Sequence, residues 1–383
     1  MKNLSFCGRI DSTNAQAFGR RLAEALEASP EESLVLDFDG VEYISSMGLR
    51  ALLEARKKAK QPLSVINAAP AVYEILEMTG FTSMLKVEKK LREIDITGCE
   101  VIGHGAVGTV YRIDRETIVK VYEIPNALEM IKNEQRRTKQ ALLRGVPTAI
   151  SYDAVRVGSH YGSVFELVNA RTFTEVLRKE PDRLEELVRL HADMIRQLHS
   201  IEADPGELPD CRDIFEQYLA EIGDAIPEEL RTRLRKMFRA MAPDWHLIHG
   251  DIHMKNVMFC DGEPLWIDMD TLSCGNPVFD LANLFVAYHA FNEHDPGNSL
   301  RFIGLPQETC ARLWDRTVSC TLGLTDVEKL RRAMDRAKAV GYVRFLYLVV
   351  VMNMGGEELR EARIRSTTEH LQELLETVGS FEI

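Results

Sequence analysis

The stretch from Leu247 to Asp270 constrains this chain more than any other. Leu247 and Ile248 lead into the polar run His249-Gly-Asp-Ile-His-Met-Lys-Asn256. Val257-Met-Phe259 and Leu265-Trp-Ile267 are apolar runs on either side of a turn at Asp261-Gly262. The pattern reads as strand, polar turn, strand, turn, strand. It brings Asp251, Asn256 and Asp268 to one locality. One carboxylate can accept the proton of an incoming hydroxyl, while an amide and a second carboxylate hold a metal on nucleotide phosphates, so the set suits phosphoryl transfer. Two other readings compete. The polar residues could only satisfy turn backbone. His249 and His253 could bind zinc, with His246 and Cys260 as the nearest further ligands, but these do not make a recognised zinc spacing.

Asp251 to Asn256 has the D-x-x-x-x-N spacing of a kinase catalytic loop, and Asp268 stands where a metal-binding aspartate follows it. Together with Asn276-Pro-Val-Phe-Asp280-Leu-Ala, these residues resemble the aminoglycoside phosphotransferase and choline kinase branch of the protein-kinase-like fold. The resemblance implies an α+β bilobal domain with a small β-rich N-lobe and a mostly helical C-lobe. It implies ATP and Mg2+, with Asp251 catalytic, Asn256 and Asp268 on the metal, and a hydroxyl-bearing small molecule as acceptor. Asp280 resembles the aspartate that braces the catalytic loop from below, and His249 is assigned to structural support. Asp270 points the same way as Asp268 if the strand continues.

Upstream, Glu100 to Ile113 is strand, glycine-rich turn, strand, with Gly103, Gly105 and Gly108 in a G-x-G-x-x-G spacing. A dinucleotide-binding turn would open a helix, whereas Val110-Tyr-Arg-Ile113 is β-prone. Lys120 then sits inside an apolar strand, where it needs partners. The kinase reading supplies the nucleotide phosphates and a carboxylate on the next helix, Ala127 to Leu143. Glu134 is that carboxylate, with Glu129 as the alternative. Tyr161 to Val168 is a further strand, and the resemblance makes main-chain groups from Glu166 to Val168 the adenine contacts. The helix from Leu184 ends in Gln197-Leu-His199, with His199 packed or capping rather than catalytic. Helices are expected through 212–240 with a break at Pro227, from Thr325-Asp326 to Val351, and over Glu357 to Thr377.

Residues 1–92 differ in character. Strands at 4–10, Ser33–Phe38 and Leu63–Ile66 alternate with helices at about Ala17–Leu26, Leu49–Lys60 and Ala71–Met78, which predicts a small α/β unit with a mainly parallel sheet. Leu36-Asp-Phe-Asp-Gly-Val-Glu-Tyr-Ile-Ser-Ser-Met-Gly-Leu49 and Ala69-Pro-Ala-Val-Tyr-Glu-Ile-Leu-Glu-Met-Thr-Gly-Phe81 resemble the STAS domain of bacterial anti-sigma-factor antagonists. That resemblance implies a protein partner and puts the family's phosphorylated serine on Ser46. The family's usual preceding aspartate is Ser45 here. Phosphate at a helix N-terminus meets free N–H groups, whereas a serine there can equally serve only as a cap. The expected division is 1–92 and 93–383, the second part with an N-lobe to about 168 and a C-lobe after it.

A net charge of -12 over 383 residues argues against a nucleic-acid binder. The seven cysteines are scattered, without a C-x-x-C pair, which fits a reducing, cytoplasmic setting. The apolar run Val343 to Met354 is too short to span a bilayer and contains Arg344 and Asn353. Three functions remain open: phosphoryl transfer to a small alcohol, phosphoryl transfer to Ser46 in cis or in trans, and nucleotide sensing by a pseudokinase scaffold in an anti-sigma-type pathway.

Overall fold

The computed structural model describes residues 2–104, 108–124, 127–166, 171–260 and 262–383, and the chain divides into two compact units. The first holds the residues up to Asp95 together with Val155–Ser159. Strands Lys2–Ile10, Leu34–Ile44, Leu63–Ala68 and Lys86–Lys89 lie side by side in that order, each neighbouring pair parallel. Parallel neighbours need crossovers, and helices Ala15–Ala28, Ser46–Lys58 and Pro70–Met78 supply them. Leu22, Phe38, Leu52, Val65, Val72 and Leu76 are fully buried in the resulting core.

The second strand runs to Ile44, well past the Phe38 expected from sequence. Asp39-Gly40 looks like a turn but is a close approach. A Cβ on Gly40 would lie 2.8 Å from that of Cys7. The pairing with the first strand shifts register between Ser5 and Cys7, and again between Gly8 and Arg9. Such bulges let a strand continue through residues that read as punctuation. The next helix begins at Ser46, three residues before the expected Leu49, because the Ser45 hydroxyl caps it by accepting the Gly48 N–H at 3.3 Å.

The second unit spans Ile96–Ala154 and His160–Ile383. Its sheet contains, in spatial order, residues 151–154 of strand Ser151–Val157, then His160–Glu166, Thr117–Tyr122, Gly108–Arg112 and Glu100–His104. The last three are antiparallel to one another, as expected for a meander. Helix Ala127–Leu143 has the predicted limits. The remainder is mostly helical: Leu184–Leu198, Cys211–Ile222, Glu228–Ala240, Val278–Tyr288, Gln307–Leu322, Val327–Val350 and Glu357–Thr377. Pro227 stands immediately before Glu228–Ala240, at the expected break. Asp326 caps the long helix by accepting the N–H groups of Glu328 and Lys329. Every residue of Val278–Tyr288 is buried, which makes it the centre of the helical core. Among the described residues, no helix is long and apolar enough to cross a membrane.

Candidate active site

The catalytic stretch is held by two short ladders. Leu247–Ile248 pairs with Ser273–Cys274, and Val257–Cys260 pairs with Glu263–Trp266. Beyond the second ladder the Ile267 N–H donates to the Asn256 carbonyl at 3.0 Å, which ties the asparagine to the residue before Asp268. The strand does not continue to Asp270 as expected. Asp268 adopts φ 62 and ψ 56, a left-handed conformation that aspartate tolerates better than most residues, and Met269–Thr271 is a 3-10 turn. The two acids therefore sit on a turn and not two positions apart on one face of a strand.

Residues 249–256 form a loop whose backbone is fastened from outside. Asp280 is fully buried. Its Oδ1 accepts the Gly250 N–H at 2.7 Å, its Oδ2 accepts the His249 N–H at 3.1 Å, and His199 Nε2 lies 2.8 Å from Oδ2. The Thr271 hydroxyl donates to the His249 carbonyl at 2.7 Å, and the Met254 N–H donates to the Tyr288 hydroxyl at 3.0 Å. Gly250 has φ +84, and a Cβ there would meet Thr271 at 2.9 Å, so only glycine fits. His249 Nδ1 accepts the Asp251 N–H and Nε2 faces the Ile267 carbonyl at 3.1 Å. Both ring nitrogens are thus engaged by backbone, which leaves none for the zinc considered above.

Within the loop, Asn256 Nδ2 donates to the Asp251 carbonyl at 2.9 Å and to its Oδ2 at 3.0 Å. The amide oxygen of Asn256 therefore faces away from Asp251. His253 Nε2 lies 3.4 Å from Asp251 Oδ2. Burial raises the pKa of Asp251, but its neighbours His253, Arg344 and His249 outweigh that and hold the carboxyl below the usual carboxylate range.

Lys120 Nζ lies 3.4 Å from Asp268 Oδ1, although 148 residues separate them in sequence. Burial lowers the pKa of this ammonium, and the charges of Asp268, Glu134 and Asp270 more than offset that, so the net shift is upward. The expected ion pair with Glu134 is not the one formed. Glu134 is buried and its Oε2 accepts a 2.7 Å hydrogen bond from the Tyr122 hydroxyl. Burial is the main cause of its raised pKa. Asp270 is pushed up to about 7, by burial first and then by the charges of Asp268 and Glu134. Three acids and one lysine leave an excess of negative charge, the electrostatic setting for a cation.

The donor set fits magnesium bound together with a polyphosphate. Among the described residues, no group of three or more His, Cys, Asp or Glu is arranged to hold a metal alone. Magnesium commonly takes one or two protein oxygens and completes its shell with water and substrate phosphates. The Asn256 amide oxygen and the Asp268 carboxylate meet that requirement.

The glycine-rich turn divides by residue. Gly108 pairs with Tyr122, and a Cβ on it would lie 2.0 Å from the Val121 carbonyl oxygen, so it is needed for strand packing. Gly103 sits opposite Val110 with room for a Cβ, the nearest atom being 3.9 Å away. Gly105 and Val168 lie outside the described residues. Glu166 ends the strand His160–Glu166 and accepts the Tyr152 hydroxyl at 2.9 Å. Ser46, in the first unit, is exposed as the first residue of its helix.

A family model described as the phosphotransferase enzyme family matches residues 98–309. The chain belongs to that family. A second family model, the STAS domain, matches residues 3–94. BtrV of Bordetella bronchiseptica, which carries the name anti-sigma factor antagonist, is 35% identical over 83 residues, covering 21% of this chain and 71% of that protein. The ADP-bound crystal structure of aminoglycoside phosphotransferase APH(2'')-Ib aligns with a TM-score of 0.50 at 13% identity, covering 79% of this chain and 98% of that one. At that identity the likeness is one of fold, a kinase-like fold following a STAS domain.

Sequence reasoning missed several supports of the phosphotransferase loop. Thr271 and Tyr288 carry no motif, and each is recognised only by the backbone group it satisfies. His199, expected to pack or cap, does occupy the helix C-cap, but its ring also reaches Asp280. The signal available for it was its position at the C-terminal end of helix Leu184–Leu198.

Proposed function

We propose that residues 93–383 form an ATP- and Mg2+-dependent phosphotransferase that moves the γ-phosphoryl group to a hydroxyl of a small molecule, with residues 1–92 as a regulatory, partner-binding domain. The observation that carries this reading is the pairing of Lys120 with Asp268 and of Asn256 with Asp251, with the Ile267 N–H, next to Asp268, bound to the Asn256 carbonyl. The ADP held by the fold relative supports a nucleotide.

In this reading Lys120 leaves Asp268 for the nucleotide phosphates. Asn256 and Asp268 would hold the magnesium ion, which supplies charge neutralisation on the phosphates. Asp251 accepts a hydrogen bond from the acceptor hydroxyl and orients its oxygen. Because its pKa is depressed, it is a weak base in the ground state. It takes the proton as the new O–P bond forms and the bond from the γ-phosphorus to the β–γ bridging oxygen breaks, with ADP leaving. Asn256 keeps the carboxylate in position through its 3.0 Å bond. Positioning and charge stabilisation account for most of the rate.

Asp251→Ala should lower turnover by roughly 10²–10⁴-fold while Mg-ATP still binds. Retained turnover in that variant, measured as ADP release, sinks the assignment. A second reading makes Ser46 the acceptor, favoured by its exposure in the first turn of its helix. Labelled ATP followed by peptide mapping tests it, and an unlabelled Ser46 peptide rejects it.

A further inference from the structure

The second unit gathers two arginines and two tyrosines near the catalytic loop that no role above uses. Tyr218 is on helix Cys211–Ile222, Arg344 and Tyr347 are on Val327–Val350, and Arg137 is on Ala127–Leu143. The Tyr218 and Tyr347 rings stack, with centroids 4.0 Å apart and planes at 21°. Arg344 Nη1 donates to the Tyr218 hydroxyl at 3.5 Å. Arg137 and Arg344 are both half-buried.

Some partly buried arginines of this unit are paired with acids, whereas Arg336, Arg360 and Arg363 donate to backbone carbonyls instead. Arg144 pairs with Glu207, and Arg212 with Asp210 at 2.6 Å. Among the described residues, neither Arg137 nor Arg344 has a carboxylate within 4.0 Å, and Arg137 Nε is buried without an acceptor. Both act electrically on the site. Burial raises the pKa of Asp251, His253 lowers it most, and Arg344 is among the groups that add to that lowering. Burial lowers the pKa of Arg137, and Asp270 and Tyr218 oppose the shift. On the tyrosine side, Glu221 acts on Tyr347 and is exposed.

A guanidinium keeps its charge at neutral pH. Partial burial without a counter-charge is costly, and the fork matches a carboxylate or phosphate in two-point contact. The stacked tyrosines offer a flat face to a carbon frame or ring. A polycationic acceptor would meet like charge here. We propose that the acceptor is a small alcohol that also bears a carboxylate or phosphate, held by Arg344 and Arg137 while its hydroxyl lies against Asp251. This assignment rests on the phosphotransferase reading above and gives its substrate class.

The test is thermal denaturation of the full chain saturated with Mg-ADP. Glycerol 3-phosphate and glycerate are the anionic probes, glycerol the neutral one, choline and kanamycin the cationic ones. The anionic alcohols should raise the Tm and the cations should not. Arg344→Gln should raise the half-saturating concentration of the effective anion roughly tenfold or more, about 1.4 kcal/mol. Arg344→Lys, which keeps the charge without the fork, should recover part of the affinity. The inference is overturned if choline or kanamycin stabilises and neither anion does, if no anion stabilises, or if anions act equally on wild type, Arg344→Gln and Arg137→Gln. A chain whose Tm does not respond to Mg-ADP itself would sink the phosphotransferase reading, a separate and recognisable failure.

Discussion

The helix entry at Ser45-Ser46 and the catalytic loop at residues 249–256 are both short polar stretches between apolar elements, yet they are held in opposite ways. The helix entry takes its cap from a near neighbour, with the Gly48 N–H donating to the Ser45 hydroxyl, and has one distant tie, from the Ser45 N–H to the Ile10 carbonyl at 2.8 Å. The loop is fastened by residues far along the chain: Thr271 to His249 across 22 positions, Asp280 to Gly250 across 30, Tyr288 to Met254 across 34. A local cap decides where a helix starts and little else. Distant fasteners impose a backbone shape that local propensity would not choose, and such a shape can hold a carboxylate and an amide in reactive register. The cost of removing a fastener should therefore differ sharply between the two regions.

Asp280→Ala should show the largest effect. It deprives two buried backbone N–H groups and the His199 ring of their acceptor. Each unsatisfied buried donor costs about 1–3 kcal/mol, so a loss on the order of 3 kcal/mol is expected in urea unfolding. Turnover should fall about 10²-fold through misplacement of Asp251. Asp280→Asn keeps the shape and one acceptor and should fall between the two. If Asp280→Ala unfolds like wild type, the loop is not fastened from below and the contrast with the helix entry disappears.

The same contrast explains what could be read in the sequence. Element types and most helix limits followed from periodicity and caps, as at Ala127–Leu143, Asp326 and Glu357–Thr377, because those signals are local. The residues proposed for phosphoryl transfer could be named because their types and spacing suit that chemistry. Three things were not legible. Asp39-Gly40 belongs to a strand, since the close approach to Cys7 is visible only once the strands are paired. Asp268 leaves the strand at φ 62, a departure that spacing alone does not encode. The Lys120 partner is Asp268 and the Glu134 partner is Tyr122, a choice settled by packing between elements and not by heptad-like spacing on one helix.

A second, smaller effect separates the units by acid. None of the chain's 10 histidines falls in residues 1–95, and all 3 tryptophans lie beyond them. His191 is fully buried, 5.7 Å from the Trp266 ring, and burial pushes its pKa down to about 3 from an ordinary 6.5. Below pH 6.5 the unfolded chain takes up a proton that the folded ring refuses. Stability therefore falls as pH drops, by up to about 1.4 kcal/mol per pH unit. Tryptophan fluorescence in urea at pH 7 and pH 5 reports this unit alone. His191→Leu should lose about 2 kcal/mol less than wild type over that interval. Equal losses would mean that His191 is not the buried neutral group driving the slope.

The smallest effect belongs to the helix entry. Ser45→Ala removes the acceptor of the Gly48 N–H and should cost about 1 kcal/mol. Ser46→Ala removes an exposed hydroxyl at the next position and should cost a few tenths of a kcal/mol at most. Hydrogen exchange of the amides in Ser46–Lys58 resolves the two without a tryptophan in the unit. At about 1 kcal/mol, Gly48 protection drops roughly fivefold in Ser45→Ala and barely moves in Ser46→Ala. If the two variants exchange alike, the cap is not Ser45, and the structural and modification roles of the adjacent serines are no longer separable. If only Ser45→Ala responds, Ser46 is not needed to hold the helix and its hydroxyl is left for modification.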